Sequence, residues 1–171
     1  MPFTPFHLGI GLCLGLLCFR WLDFPTFLIA NVIVDARAVL VFFDFVSGSI
    51  HGFLHTFIFA TLLAVGLATL SSVSKPTLNR VLRPLFLAQR RSLTRITLAA
   101  LIGVYAHIVL DSVLYTDISP LYPLSGNPFL GLLSSVEVYF LCVVGFVFGT
   151  GLYLTKVITE WKNLDVPLWA Q

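Results

Sequence analysis

Thr97-Leu-Ala-Ala-Leu-Ile-Gly-Val-Tyr-Ala-His107-Ile-Val-Leu-Asp111-Ser-Val-Leu-Tyr115 decides the fold. A helix needs about 20 predominantly apolar residues, with a range of roughly 17–25, to cross a bilayer. This stretch meets that length, and its two ionisable side chains stand four residues apart, on one helical face. An Asp at the centre of a spanning helix costs at least about 2.5–3.5 kcal/mol, so those that persist face a bundle interior and serve a site.

Working outward, four further apolar stretches approach the same length, at 5–22, 24–46, 51–73 and 135–156. The second carries Asp35 and Arg37 near its middle, which predicts a broken or re-entrant segment. The 171 residues are 58% hydrophobic and only 11% charged, against about 25% charged in soluble domains. The expectation is an all-α, polytopic membrane helix bundle of about five transmembrane segments, forming a single integral membrane domain over 1–171. The N-terminus has no basic n-region and no A-x-A-like cleavage site, so the first apolar run is expected to stay in the mature protein. Cys13, Cys18 and Cys142 lie in apolar runs without a C-x-x-C pair and read as small buried residues.

Between the third and fourth stretches, 74–96 holds Lys75, Arg80, Arg83, Arg90, Arg91 and Arg95 and no acid. The positive-inside bias places this basic loop and the C-terminus in the cytoplasm and the N-terminus outside. Phe86 is the only aromatic in it, so nucleic acid is not an expected partner; membrane lipids are. Small residues at helix-packing spacing are Gly11 and Gly15, Ala64 and Ala68, Gly145 and Gly149. Whether they pack one bundle or join a homo-oligomer is open at this level.

Counting about 1.5 Å per residue from the predicted ends, His7 and His51 fall near the outer surface, His55 and Asp111 each roughly 6 Å deeper, and His107 about one turn further in. Asp35 comes out near mid-depth. His51 and His55, His107 and Asp111, and Asn31 and Asp35 are each four residues apart, so each pair shares a face. Histidines and carboxylates from different helices form the N/O donor set of a divalent site, most simply Zn²⁺. A cation there also offsets the cost of burying carboxylates. Arg37 could pair with an acid, bind an anionic substrate, or mark the break in its helix. Asp44 and Asp117 are expected to meet water, and Glu137 suits the start of a helix.

Taken in order, Met1-Pro-Phe-Thr-Pro-Phe-His7-Leu-Gly, Asn31-Val-Ile-Val-Asp35, His51-Gly-Phe-Leu-His55-Thr and His107-Ile-Val-Leu-Asp111 resemble the membrane-bound metal-dependent hydrolases of the LexA-binding, inner-membrane YdjM type and their archaeal relatives. The similarity covers roughly the first 130 residues. It implies a prokaryotic inner or plasma membrane and a metal site built from His7, Asp35, His55, His107 and Asp111. Relatives carry a second acid two residues after the Asp, as in D-x-E-P, whereas this chain reads Asp35-Ala36-Arg37-Ala38.

Two functions follow. In the first, Asp35 and Asp111 are catalytic groups of a metal-dependent hydrolase that acts near the outer leaflet on a lipid-like or phosphoester amphiphile, with Asn31, Arg37 and His51 contacting substrate. No Gly-x-Ser-x-Gly elbow or Cys–His neighbour suggests a covalent nucleophile. In the second, a non-enzymatic membrane protein uses the same residues for metal or proton passage or for helix pairing. A carrier would need its polar track to continue into the inner half of the membrane.

Overall fold

A computed structural model describes residues 4–48 and 51–164. Residues 1–3 of the N-terminal motif, 49–50 of the predicted outer turn and Asp165 of the C-terminal tail lie outside the described residues. Within them the chain is all-helical: α1 (His7–Leu17), α2 (Phe24–Ile33), α3 (Ala36–Phe42), α4 (Phe57–Leu82), α5 (Leu93–Ser112) and α6 (Ser135–Leu164), with short 3₁₀ turns before α1, before α4 and after it.

Three helical stretches are long and apolar enough to cross a membrane: Phe57–Leu85, Leu93–Ser112 and Ser135–Lys162. A fourth span results if α2 and α3, bent by 41° at their junction, are taken together. This is fewer than the five expected, and the shortfall lies in the first segment. α1 has 11 residues, about 17 Å of helix. It ends there because the chain from Cys18 to Asp23 is used to turn and start α2. The Asp23 carboxylate accepts from the Thr26 backbone N–H at 3.3 Å and from its hydroxyl at 2.7 Å. Pro25 sits in the first turn, where its missing N–H costs nothing.

The basic stretch is also not simply a loop. α4 passes through Pro76 to Leu82 and α5 starts at Leu93, so more than half of 74–96 is helical. The rest is tied into the end of the bundle. Gln89 donates its amide N–H to the carbonyls of Phe19 at 2.7 Å and Leu22 at 3.0 Å, and accepts from the Phe24 N–H at 2.7 Å. Arg95 donates to the same Phe19 carbonyl, and Lys75, 1% exposed, pairs with Asp23. These groups form a polar layer that closes the turn between α1 and α2.

α1 packs between α6 and α2, α2 lies on α5, and α5 on α4. Glycine sets the closeness of the first contacts. A Cβ on Gly145 would meet the Gly9 carbonyl at 2.8 Å, and one on Gly149 the Cys13 nitrogen at 2.9 Å. Gly15 faces the Phe24 ring, and Gly103 leaves room for Ala30. Ala64 and Ala68 are buried with Ala30, Ala100, Val104 and Ile108. All three small-residue pairs of the sequence therefore pack within the chain. The large apolar residues point the other way: Leu62, Leu70 and Val73 of α4 and Phe140, Val147 and Phe148 of α6 are each at least 64% exposed. Small residues inside and large apolar residues outside suit a bundle solvated by lipid, and the chain is accordingly read as an integral membrane protein.

Candidate metal centre

Four helix ends and one helix face meet at the end of the bundle opposite the Asp23–Lys75 layer. His7 is the first residue of α1. Asp35 occupies the break between α2 and α3, at the N-cap position of α3, yet its side chain makes no cap hydrogen bond. It turns inward instead. His55 ends the 3₁₀ turn before α4, and His107 and Asp111 share one face of the last turns of α5. All five side chains are at most 2% exposed.

The imidazoles interleave with the carboxylates. Asp35 Oδ1 lies 3.3 Å from both His55 Nε2 and His107 Nε2. Asp111 Oδ2 is 3.2 Å from His107 Nε2 and 3.5 Å from His55 Nε2, while its Oδ1 is 3.2 Å from His7 Nε2. One donor atom each from Asp35, His55, His107 and Asp111 falls within 4.8 Å of all the others. Donors held about 2.0–2.1 Å from a tetrahedral Zn²⁺ stand about 3.3 Å apart, and the four His–Asp contacts of the group lie at 3.2–3.5 Å. His7 belongs to the rim of this group: it reaches Asp111 and stacks on His107 with ring centroids 4.2 Å apart.

Hydrogen bonding makes the case for a cation. His107 Nδ1 lies 2.7 Å from the Asn31 backbone oxygen. A carbonyl only accepts, so Nδ1 carries a proton and the Nε2 of a neutral ring presents a lone pair to two carboxylates. Acceptors do not face acceptors at 3.2–3.3 Å without a positive charge between them. The Nε2 atoms of His7, His55 and His107 and Asp111 Oδ1 are buried without a well-formed hydrogen bond. One proton would serve one His–Asp contact; a divalent ion would serve all four ligands at once and offset both carboxylate charges. An imidazole with its far nitrogen fixed by a backbone carbonyl is also the usual arrangement of a metal ligand. The group could hold a metal ion.

The remaining predicted residues fall around the centre. Asn31 is fully buried; its amide donates to the Phe27 carbonyl at 2.8 Å, and its backbone rather than its side chain serves the site. Arg37 leaves the site altogether and lays its guanidinium along Gly48 and Gly52. His51 is the outer neighbour of His55, with ring centroids 5.0 Å apart, and its Nδ1 meets both oxygens of Asp117 at 2.9 and 3.0 Å. Asp35 stands level with His55 and His107, at the break where α2 stops at Ile33.

Sequence reasoning missed two features. Asp117, expected only to meet water, orients His51 across 66 positions, a pairing no local pattern announces. The Asp23–Lys75 layer was legible only in part: Asp23-Phe-Pro-Thr is a helix-start signal, but its cationic partner comes from α4. Glu137 does sit at a helix start, where it and Ser134 form a reciprocal capping box, Ser134 N–H to Glu137 Oε2 at 2.7 Å and Glu137 N–H to Ser134 Oγ at 3.3 Å. Compared with family models, with curated proteins and with solved structures, the chain matches none; the reading of the centre rests on its own residues.

Proposed function

We propose that this chain is a membrane-embedded metal-dependent hydrolase of the YdjM type, holding a divalent ion, most simply Zn²⁺, near the outer leaflet. The observation that carries the proposal is the convergence of Asp35, His55, His107 and Asp111 with their donor atoms within 4.8 Å, the His107 Nε2 being turned onto the carboxylates by the bond at Nδ1. His55, His107 and Asp111 would hold the metal. Asp35 Oδ1, equidistant from both imidazoles at 3.3 Å, acts as a fourth ligand or as the base that takes a proton from the attacking water. Bound there, the ion would supply Lewis-acid polarisation of the scissile group and a water acidic enough to react near neutral pH. His7 orients Asp111 from outside, as second partners of metal ligands commonly do.

The position of the centre favours an amphiphilic substrate. Arg95 and His107 are twelve positions apart on α5, as are Asp23 and Asp35 across α2, so the two polar layers are separated by about 18 Å. That is shorter than the roughly 30 Å hydrocarbon core, which puts the centre at or below the level where lipid headgroups join their chains. With the basic segment on the cytoplasmic side, this is the outer leaflet. The chain between the layers is apolar: Ala30, Ala64, Leu67, Ala100 and Val104 fill it. A carrier would need polar groups there, which argues for a pocket rather than a pathway.

Elemental analysis of the purified protein beside His55→Ala and Asp111→Ala tests the reading. About one metal ion per chain in the wild type, lost in both variants, is expected. The same substoichiometric metal in all three would exclude the centre.

A further inference from the structure

The end of the bundle opposite the metal centre carries nearly all of the positive charge: of the Lys and Arg residues only Arg37 lies at the other end. The described acids of this end are already engaged, Asp23 with Lys75 and Glu160 with Lys156 at 3.2 Å. A basic end with no acid left to balance it attracts an anion.

Gln89 turns this charge into a fixed surface. Its side chain holds the Phe19 and Leu22 carbonyls. Its backbone N–H donates to the Asn79 side-chain oxygen at 3.2 Å, and its carbonyl accepts from the Asn79 amide at 2.8 Å. The chain returns to this point through Phe86, left-handed at φ 57°, and the bond from the Leu87 N–H to the Leu82 carbonyl at 3.1 Å. The α1–α2 turn, α4 and the segment entering α5 are thus tied at one residue. An arginine follows each tied position: Arg20 after Phe19, Arg80 after Asn79 and Arg90 after Gln89. All three are exposed, and their side chains make no hydrogen bond or ion pair with another described residue. Consecutive Cα atoms are 3.8 Å apart, so the knot sets where all three side chains leave the backbone.

Depth and neighbours identify the anion. Arg80 lies about 8 Å beyond Lys75 along α4, hence about 26 Å from the metal centre, near the far boundary of a roughly 30 Å hydrocarbon core. Each arginine has an exposed apolar side chain close by in sequence: Trp21 beside Arg20, Val81 beside Arg80 and Leu93 shortly after Arg90. Exposed Trp and cationic heads among apolar groups suit a surface lying in lipid headgroups. The anion found at that depth is phospholipid phosphate, whose oxygens a planar guanidinium matches.

We infer that Arg20, Arg80 and Arg90 bind the headgroup of an anionic phospholipid of the cytoplasmic leaflet, with Gln89 and Asn79 as the residues that position them. The inference is independent of the hydrolase reading, since no residue of the metal centre takes part.

Native mass spectrometry of the full chain tests it, after incubation in a neutral detergent with equal amounts of phosphatidylglycerol and phosphatidylcholine bearing the same chains. Both lipids carry a phosphate, and only the first is a net anion. Phosphatidylglycerol is expected to be retained on the order of a hundredfold over phosphatidylcholine, each of Arg20→Gln, Arg80→Gln and Arg90→Gln to cut that preference about fivefold, and the triple variant to abolish it. Asn79→Ala removes no charge but loosens the knot, and should weaken the preference. Lys162→Gln removes an exposed cation of the same end that is not tied to Gln89, and should leave it nearly unchanged. Excess glycerol 3-phosphate should not displace the lipid, and metal content should stay as in the wild type throughout. Equal retention of the two lipids would overturn the site. So would a Lys162→Gln loss as large as that of Arg90→Gln, because the attraction would then be a diffuse field. Displacement by glycerol 3-phosphate would overturn the lipid as its ligand.

Discussion

His107 gives its Nδ1 proton to the Asn31 backbone carbonyl at 2.7 Å, and that bond decides which nitrogen the ring turns towards Asp35 and Asp111. α2 and α5 thus register the centre through main chain, and Gly103 lets them approach closely enough to do so, its missing Cβ leaving room for Ala30. The ligand geometry is a consequence of helix packing, not of a loop that closes over an ion.

Because the contact uses the backbone, Asn31→Ala should leave metal content as in the wild type. His107→Gln, which cannot reproduce the imidazole lone pair, should lose it. His7→Ala belongs between the two: it removes a partner of Asp111, not a ligand of the four, and should weaken metal binding by about 10–100-fold. Titration against a competing chelator would rank the three variants. An Asn31→Ala loss as deep as that of His107→Gln would mean that the amide itself is a ligand.

At the other end, Asp23 and Lys75 form a pair with side chains 2% and 1% exposed. Removing one partner of a buried pair leaves a bare charge and costs about 3–5 kcal/mol, whereas replacing both can be nearly neutral. Lys75→Met is therefore expected to lower the unfolding temperature in detergent sharply. The double variant Asp23→Asn/Lys75→Met should recover most of that loss. If the double variant is as unstable as the single one, the pair is not what holds this end together.

Much of this was legible in the chain and some of it was not, for physical reasons. Period and composition identify membrane helices, and i, i+4 spacing finds His107 with Asp111 because both lie on one regular helix. Spacing misleads for His51 and His55, of which only the second lies in the 3₁₀ turn Phe53–His55 before α4, so the two do not share an α-helical face. Spacing alone also does not bring Asp35 to the histidines of other helices, because it stands at a 41° break that no periodicity marks. His7 lies on the first residue of its helix, where nothing local marks it as part of a site. Hydropathy overcounts the spans because it sees apolar residues and not the turn from Cys18 to Asp23, which is largely made of them.

Orientation is open to a direct test. In a background with Cys13, Cys18 and Cys142 replaced by Ser, single cysteines at Gly48 and at Arg90, both exposed, should react with a membrane-impermeant maleimide from opposite sides of the membrane. The Arg90 site should label only after permeabilisation, as the positive-inside bias requires. Labelling of both from one side would break the proposed arrangement of α4, which alone connects them with one crossing.

Two glycines should respond in opposite directions. Gly9 sits against the Cys142 carbonyl and the Phe146 ring, and Gly145 returns the contact against the Gly9 carbonyl. A larger residue at Gly9 would have to push α6 away from α1, taking His7, two residues earlier, with it. Gly9→Leu should therefore lower both thermal stability and metal content. Gly66, within α4, faces outward, and a Cβ added there would meet nothing within 4 Å. Gly66→Ala should stabilise by about 0.4–1 kcal/mol, because alanine loses less backbone freedom on forming a helix. Thermal unfolding in one detergent, with metal measured on the same samples, checks both. A Gly9→Leu protein that keeps its metal would show that the α1–α6 seam does not position His7.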